Sequence, residues 1–231
     1  PINCGLAQIY TEIRNFQMAD VYYSKVEKVL YDIPLYEQYF FANTRGNYYY
    51  ATKKYTQALS WFYKANAFSH KIKHPVYEAI TEANLGEIYL LLQENDSAKI
   101  YLDKAASIFF KPGSSPATTF YLNGLYASYY LQTKQTAKAD KLLSLPYDTT
   151  AINAVYKYYH NKRLEQLYTL KGEYDKAYLY SKEAQYFDDS LNNAAIRNNM
   201  EELNFRYSQD TTLLRKDILI KQKEQKVSLL H

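Results

Sequence analysis

Glycine and proline are scarce in this chain, six of each in 231 residues. That is too few for an all-β protein built on tight turns, and long helices are the simpler reading. Cysteine is scarcer still: Cys4 stands alone, which excludes an internal disulfide. A lone cysteine suits a reducing compartment, and equally a periplasm-like one where the fold needs no staple. No apolar run approaches the roughly 18 residues that cross a bilayer. Neither sign of charge dominates. The net charge is +4, with Lys and Arg interspersed among Asp and Glu and no basic stripe of the kind nucleic acid requires. A Gly-rich phosphate loop, HExxH and GxSxG are all missing, so catalysis has no support in the sequence. A signal peptide is missing too. The chain opens at Pro1, in mid-pattern, and closes on SLLH without a helix stop, so a cut at both ends is expected.

What the chain does have is apolar and aromatic content, 47% and 17%, with 28 tyrosines. These are distributed in a repeat. Ala19, Ala58, Ala98, Ala139 and Ala177 anchor five segments spaced 39, 40, 41 and 38 residues apart. Nine residues before each anchor stands a tyrosine: Tyr10, Tyr49, Tyr89, Tyr130 and Tyr168. Four residues after it come Tyr23, Phe62, Leu102, Leu143 and Ser181; seven after it come Val26, Ala65, Ala105, Pro146 and Ala184. Twelve before it come Ala7, Gly46, Gly86, Ala127 and Glu165. The anchor and the residues four and seven beyond it share one face of a helix, and the two earlier columns lie together on a preceding helix. Polar breaks separate them: RN, TKK, QEND, TKQT and KGE. Each unit therefore reads as a helix, a turn and a second helix packed antiparallel, with Ala58 small so that Gly46 and its helix can lie against it. Pro34, Pro75, Pro112 and Pro116 fall between units, and Pro146 ends a shortened helix in the fourth, positions where proline costs little.

Small residue, tyrosine, alanine, aromatic, small residue: this pattern resembles the tetratricopeptide repeat. The family's consensus small residues match Gly46, Ala58 and Ala65, and Gly86, Ala98 and Ala105; its aromatic matches Phe62. The resemblance implies an all-α, right-handed α-solenoid of about five hairpins over residues 1–190, with units near 1–32, 35–73, 75–111, 116–146 and 148–190, and a long C-terminal helix over 191–231. The period exceeds the family's ~34 residues. Long degenerate repeats of this kind resemble the sensory regions of Bacteroidetes regulators, in which such arrays precede a membrane helix and a histidine kinase or LuxR-type output module. By that resemblance the chain lies on the periplasmic side of an inner membrane, reached only through a segment outside it; a cytoplasmic location is the alternative.

The resemblance also implies a concave groove lined by the first helix of each unit. Its positions map to Asn43, Asn47 and Tyr50, to Asn84, Glu87 and Leu90, to Tyr121, Gly124 and Ser128, and to Lys162, Arg163 and Gln166. Asparagine is a mediocre helix former, so its placement there fits amides that bond an extended peptide. The basic clamp that holds a C-terminal carboxylate in some family members is replaced by Asn43, Tyr121 and Leu125, which argues against that ligand. No cofactor, metal or nucleic acid is expected. His70 and His74 have metal spacing, but His74 precedes Pro75 and no further ligand gathers; Glu183, Asp188 and Asp189 read as a solvated helix end, and Cys4 has no partner base. After the repeats, residues 191–210 read as a cap for the last hairpin. Leu213, Ile220 and Val227 recur every seven residues, a coiled-coil seam through which a homodimer is expected. Two readings follow: a non-catalytic, peptide-binding sensory region, or a free-standing scaffold for complex assembly.

Overall fold

The structure, a computed structural model, describes residues 2–148, 150 and 152–228. Ten α-helices follow one another: α1 (Ile2–Glu12), α2 (Phe16–Glu27), α3 (Leu35–Ala51), α4 (Tyr55–Ile72), α5 (Pro75–Leu91), α6 (Asn95–Phe109), α7 (Pro116–Gln132), α8 (Thr136–Leu143), α9 (Ala154–Leu170) and α10 (Tyr174–Ser228). Among the described residues there is no strand. The chain divides into a unit spanning Pro1–Leu191 and a second spanning Asn192–His231. The first is an α-solenoid of successive helical hairpins, α1–α2 through α9 and the opening turns of α10. The second consists of the C-terminal stretch of α10.

Each hairpin reverses direction in the same way. Arg14, Lys53, Gln93, Lys134 and Gly172, each five residues before an anchor alanine, adopt the left-handed conformation with φ between 57° and 75°. The next residue's N–H returns to the carbonyl of the column tyrosine: Asn15 to Tyr10, Lys54 to Tyr49, Glu94 to Tyr89, Gln135 to Tyr130 and Glu173 to Tyr168, at 2.7–2.9 Å. The left-handed residue's own N–H bonds the carbonyl three residues back, as in Gln93 to Leu90. These are Schellman closures, which satisfy carbonyls that a helix end leaves bare. The second helix then starts at once, because the anchor alanine's N–H bonds the carbonyl four residues earlier in every unit, Ala58 to Lys54 among them. The tyrosine column thus fixes where one helix stops, and the alanine column where the next takes hold.

The anchors occupy equivalent buried positions. Ala19, Ala58, Ala98 and Ala139 are fully buried and Ala177 is 6% exposed. The closest approach at Gly46 is made by Phe62, four residues after the anchor. A Cβ there would lie 2.5 Å from the Phe62 ring, and one at Gly86 would lie 2.7 Å from Leu102. The glycine makes room for the large residue four positions after the anchor. Ala58 joins Phe62, Leu85 and Ile88 in a cluster that ties the second hairpin to the third. Tyrosines pack on one another within units: Tyr10 on Tyr22, Tyr89 on Tyr101 and Tyr168 on Tyr180, with ring planes within 8° and centroids 5.4–5.6 Å apart. Stacked offset rings add to the area they bury, and their faces are occupied by protein.

Hairpins one and two are also joined by a buried charge. Arg45 is 4% exposed; it reaches Asp20 at 2.7 Å and lies 4.7–5.0 Å from the rings of Tyr23, Tyr48 and Tyr49. The aromatic faces compensate part of the desolvation that the guanidinium suffers.

Replacing Gln93 by Gly should stabilise the fold by up to about 1 kcal/mol, and Gly172→Ala should weaken it by about 1 kcal/mol, because an L side chain strains a left-handed turn. Gly46→Ala should cost about 1–3 kcal/mol through overpacking on the ring, with partial recovery when Phe62→Leu is added. Urea unfolding midpoints of the four variants measure this; a Gly46→Ala midpoint equal to that of the parent would contradict the contact.

Candidate functional site

The first helices of the hairpins, α3, α5, α7 and α9, present one row of side chains to a common groove. Eleven of the twelve residues mapped from the sequence line it, in two adjoining cavities of about 640 and 470 Å³, Leu90 in the smaller; Gly124 lines a third cavity instead. Asn43, Asn47, Asn84 and Tyr121 line the larger cavity, and Ser128, Lys162 and Gln166 the smaller. Tyr50, Glu87 and Arg163 line both. The repeat explains this convergence. Asn47, Glu87, Ser128 and Gln166 all stand eleven residues before their anchors, so stacking the hairpins aligns them in a single file.

The two cavities meet at a polar centre. Glu87 accepts a hydrogen bond on each carboxylate oxygen, from Tyr50 at 3.0 Å and from Tyr121 at 2.6 Å. The Tyr50 hydroxyl also lies 3.2 Å from that of Tyr159, so α3 and α9 touch across the groove. Burial, reinforced by the Glu87 carboxylate, holds the phenol pKa values of Tyr50 and Tyr121 well above the ordinary range, and burial raises Tyr159 as well. All three therefore remain donors at neutral pH. Opposite them the Arg163 Nε donates to Ser128 Oγ at 2.7 Å, and the guanidinium lies against Gly124, where a Cβ would come within 2.9 Å of Nη1. Burial lowers the Arg163 pKa while Glu87 acts to raise it.

Further along the groove the amides pair with each other: Asn84 Nδ2 donates to Asn43 Oδ1 at 3.0 Å. Both residues line the larger cavity, and the Asn43 amino group and the Asn84 carbonyl oxygen have no partner among the described residues. Lys162 is bonded to Glu165 along its own helix at 2.5 Å, and Asn47 and Gln166 are exposed. Tyr159 and Tyr156, both in the larger cavity, were absent from the sequence mapping. A signal for Tyr159 existed: it stands eighteen residues before Ala177, as Tyr121 does before Ala139.

The other candidates are engaged by neighbouring side chains. Cys4 is buried with its sulfur 3.6 Å from the Thr44 hydroxyl, and burial raises its pKa, which disfavours the reactive thiolate. His70 contacts Glu78 at 3.1 Å and His74 stacks on Tyr77 with centroids 4.0 Å apart. Among the described residues no three His, Cys, Asp or Glu side chains gather as a metal set, and no helix is long and apolar enough to cross a membrane.

Tyr121→Phe leaves one Glu87 oxygen without its donor in a half-buried site and should cost about 1–2 kcal/mol. A double-mutant cycle with Glu87→Gln should return a coupling of at least about 0.5 kcal/mol. Additive losses in thermal or urea unfolding would show that the two groups do not interact.

No family profile matches the sequence, and no curated protein matches it either. Solved structures do match in fold. BtubC (BKLC) from P. vanneervenii superposes with a TM-score of 0.60 at 14% identity, over 81% of this chain and 78% of that one. The apo form of the quorum sensor NprR from B. thuringiensis gives 0.60 at 16% identity, over 78% of this chain and 53% of NprR, so the match spans about half of that protein. A kinesin light chain-type protein of Podosopora anserina with nearly identical TPR-like repeats gives 0.56 at 14% identity, over 81% and 94%. At these identities the likeness is one of architecture: the first unit has the TPR-like α-solenoid fold.

Proposed function

We propose that the groove of the first unit binds a protein or peptide partner without catalysis, and that the chain is the sensory region of a signal-transduction regulator. The observation that carries this is the Asn43–Asn84 pair. Two amides from successive hairpins hold each other in register at the wall of a cavity of about 640 Å³, with amide N–H groups and a carbonyl oxygen left over for a ligand. That is the complement of a peptide unit, which offers one carbonyl and one N–H. A binding role also fits the polar centre better than catalysis does. Both Glu87 oxygens already accept phenol protons, so the carboxylate is engaged as a structural acceptor rather than poised as a base. The pinch between Tyr50 and Tyr159 shortens the available groove, so an extended segment of a few residues suits the larger cavity. NprR is described as a quorum sensor, and its similar architecture supports a ligand-sensing reading. The sequence resemblance to membrane-anchored regulators is the ground for proposing the periplasmic side of an inner membrane.

The second unit supports a dimeric form. Ile196, Met200, Leu203 and Tyr207 follow each other at intervals of four, three and four, and each is more than half exposed. Leu213 and Ile220 are exposed as well; the Val227 side chain lies outside the described residues. A helical stripe of that spacing pairs with a second copy of itself as a coiled coil, displaced N-terminally from the seam read in the sequence.

Two measurements test these readings. A random peptide library selected on the protein should yield short binders whose affinity falls at least tenfold when Asn43, Asn47 and Asn84 become Ala; equal affinity would remove the groove from the proposal. Sedimentation at tens of micromolar should show a dimer that Leu203→Asp converts to monomer, whereas a parent that sediments as a monomer would sink the pairing.

A further inference from the structure

The fourth hairpin departs from the others in one respect that leaves space behind. Its second helix, α8, has 8 residues, whereas α2, α4 and α6 have 12, 18 and 15. Pro146 stands seven residues after the anchor, where Val26, Ala65 and Ala105 continue the helix in the earlier units. The chain leaves the helix there, and a cavity of about 540 Å³ opens between α7, the end of α8 and α9. Leu142, Leu143, Pro146 and Ile152 form apolar walls, and the rings of Phe120 and Tyr147 lie tilted by 49° with centroids 4.5 Å apart.

His160 of α9 also lines this cavity. It is 7% exposed and its ring lies 5.3 Å from Phe120 and 5.2 Å from Tyr147. It has no hydrogen-bond partner among the described residues. Burial, with Arg163 adding to it, pushes its pKa down to about 4, so the imidazole is neutral at pH 7. A neutral imidazole carries one N–H donor and one bare acceptor nitrogen. The ring nitrogens are not sealed from the cavity, so what occupies it, water or a ligand, can supply the partner that a polar group in such a site normally has. Asp148 is the one charged side chain that lines the cavity, so the lining offers no cationic group to an anion.

We propose that this cavity is a binding site for a compact, uncharged aromatic molecule bearing one hydrogen-bonding group, its ring among Phe120, Tyr147 and the apolar walls and its polar group on the His160 imidazole. The volume lies within the range of small-ligand pockets, and an apolar lining with one convergent polar group is their usual composition. The site is separate from the groove amides and does not depend on the groove reading. A phenol or an indole has the required chemistry, free or as the side chain of a partner protein.

The test uses the full chain with nitrogen-15-labelled histidines and follows the imidazole resonances while p-cresol, indole or toluene is added. The His160 signals should shift saturably with p-cresol and indole, with half-saturation below about 1 mM, while those of His70 and His74 stay in place. Toluene, which has the ring but no polar group, should bind at least tenfold more weakly. His160→Phe should erase that preference. No saturable shift with p-cresol or indole, or an undiminished preference for p-cresol in a folded His160→Phe protein, would overturn the proposal. Should that variant fail to fold, the p-cresol and toluene affinities of the parent protein decide alone, equal values overturning it. N-acetyltyrosinamide distinguishes the sources: binding as tight as that of p-cresol assigns the site to a partner's side chain, and weaker binding assigns it to a free molecule.

Discussion

The architecture of the first unit rests on one backbone event repeated five times. A residue in the left-handed region ends the first helix, the following N–H closes on a tyrosine carbonyl, and the anchor alanine's N–H opens the second helix. The event needs a specific spacing and almost no specific side chain at the strained position, which holds Arg, Lys, Gln, Lys and Gly in turn. Strain of that size is tolerated because it is local and is offset by the hydrophobic faces that the reversal brings together. Were the closure one residue longer or shorter, the alanine would rotate by about 100° off the buried face.

From that register the groove follows without further instruction. Stacked hairpins place the residues eleven before each anchor in one file, and the chemistry of the file is then a matter of which side chains occupy it. Around the file the groove's side chains compensate one another: Asn84 pairs with Asn43, phenols hold the Glu87 carboxylate, and the Arg163 guanidinium is seated on Ser128 and Gly124. The row has few groups that demand a charged ligand and several that match a peptide backbone. On the proposed reading the groove recognises shape and main-chain hydrogen bonds more than net charge.

Much of this was legible in the sequence, for an identifiable reason. The helix-stop tyrosine and the anchor alanine obey constraints that act within twelve residues, and such constraints recur at a fixed period. The groove residues were legible at second hand, since the period carries the file along with it. What stayed hidden depends on contacts between units. Nothing near Arg45 announces that three tyrosines from two helices will enclose it. Nor does the sequence tell that the Phe62 ring, one helical turn beyond Ala58, takes the space beside Gly46. Tyr159 was missed because the family's groove positions were applied in place of this chain's own columns. The residues seven apart in the sequence, Leu213 and Ile220, lie beyond the exposed apolar stripe with alternating four and three spacing, which begins at Ile196.

The hydroxyl contact between Tyr50 and Tyr159 spans 109 positions of sequence. In a linear stack each hairpin needs only its neighbours, folding can begin at any of them and spread, and contact order stays low. A tie from the second hairpin to the fifth closes a loop that all intervening hairpins must first complete, so its entropy of closure falls on the last step of assembly. Such a contact converts a chain of nearest-neighbour partners into a ring of interdependent ones. Hydrogen exchange at its two ends should then report on the integrity of every hairpin between them.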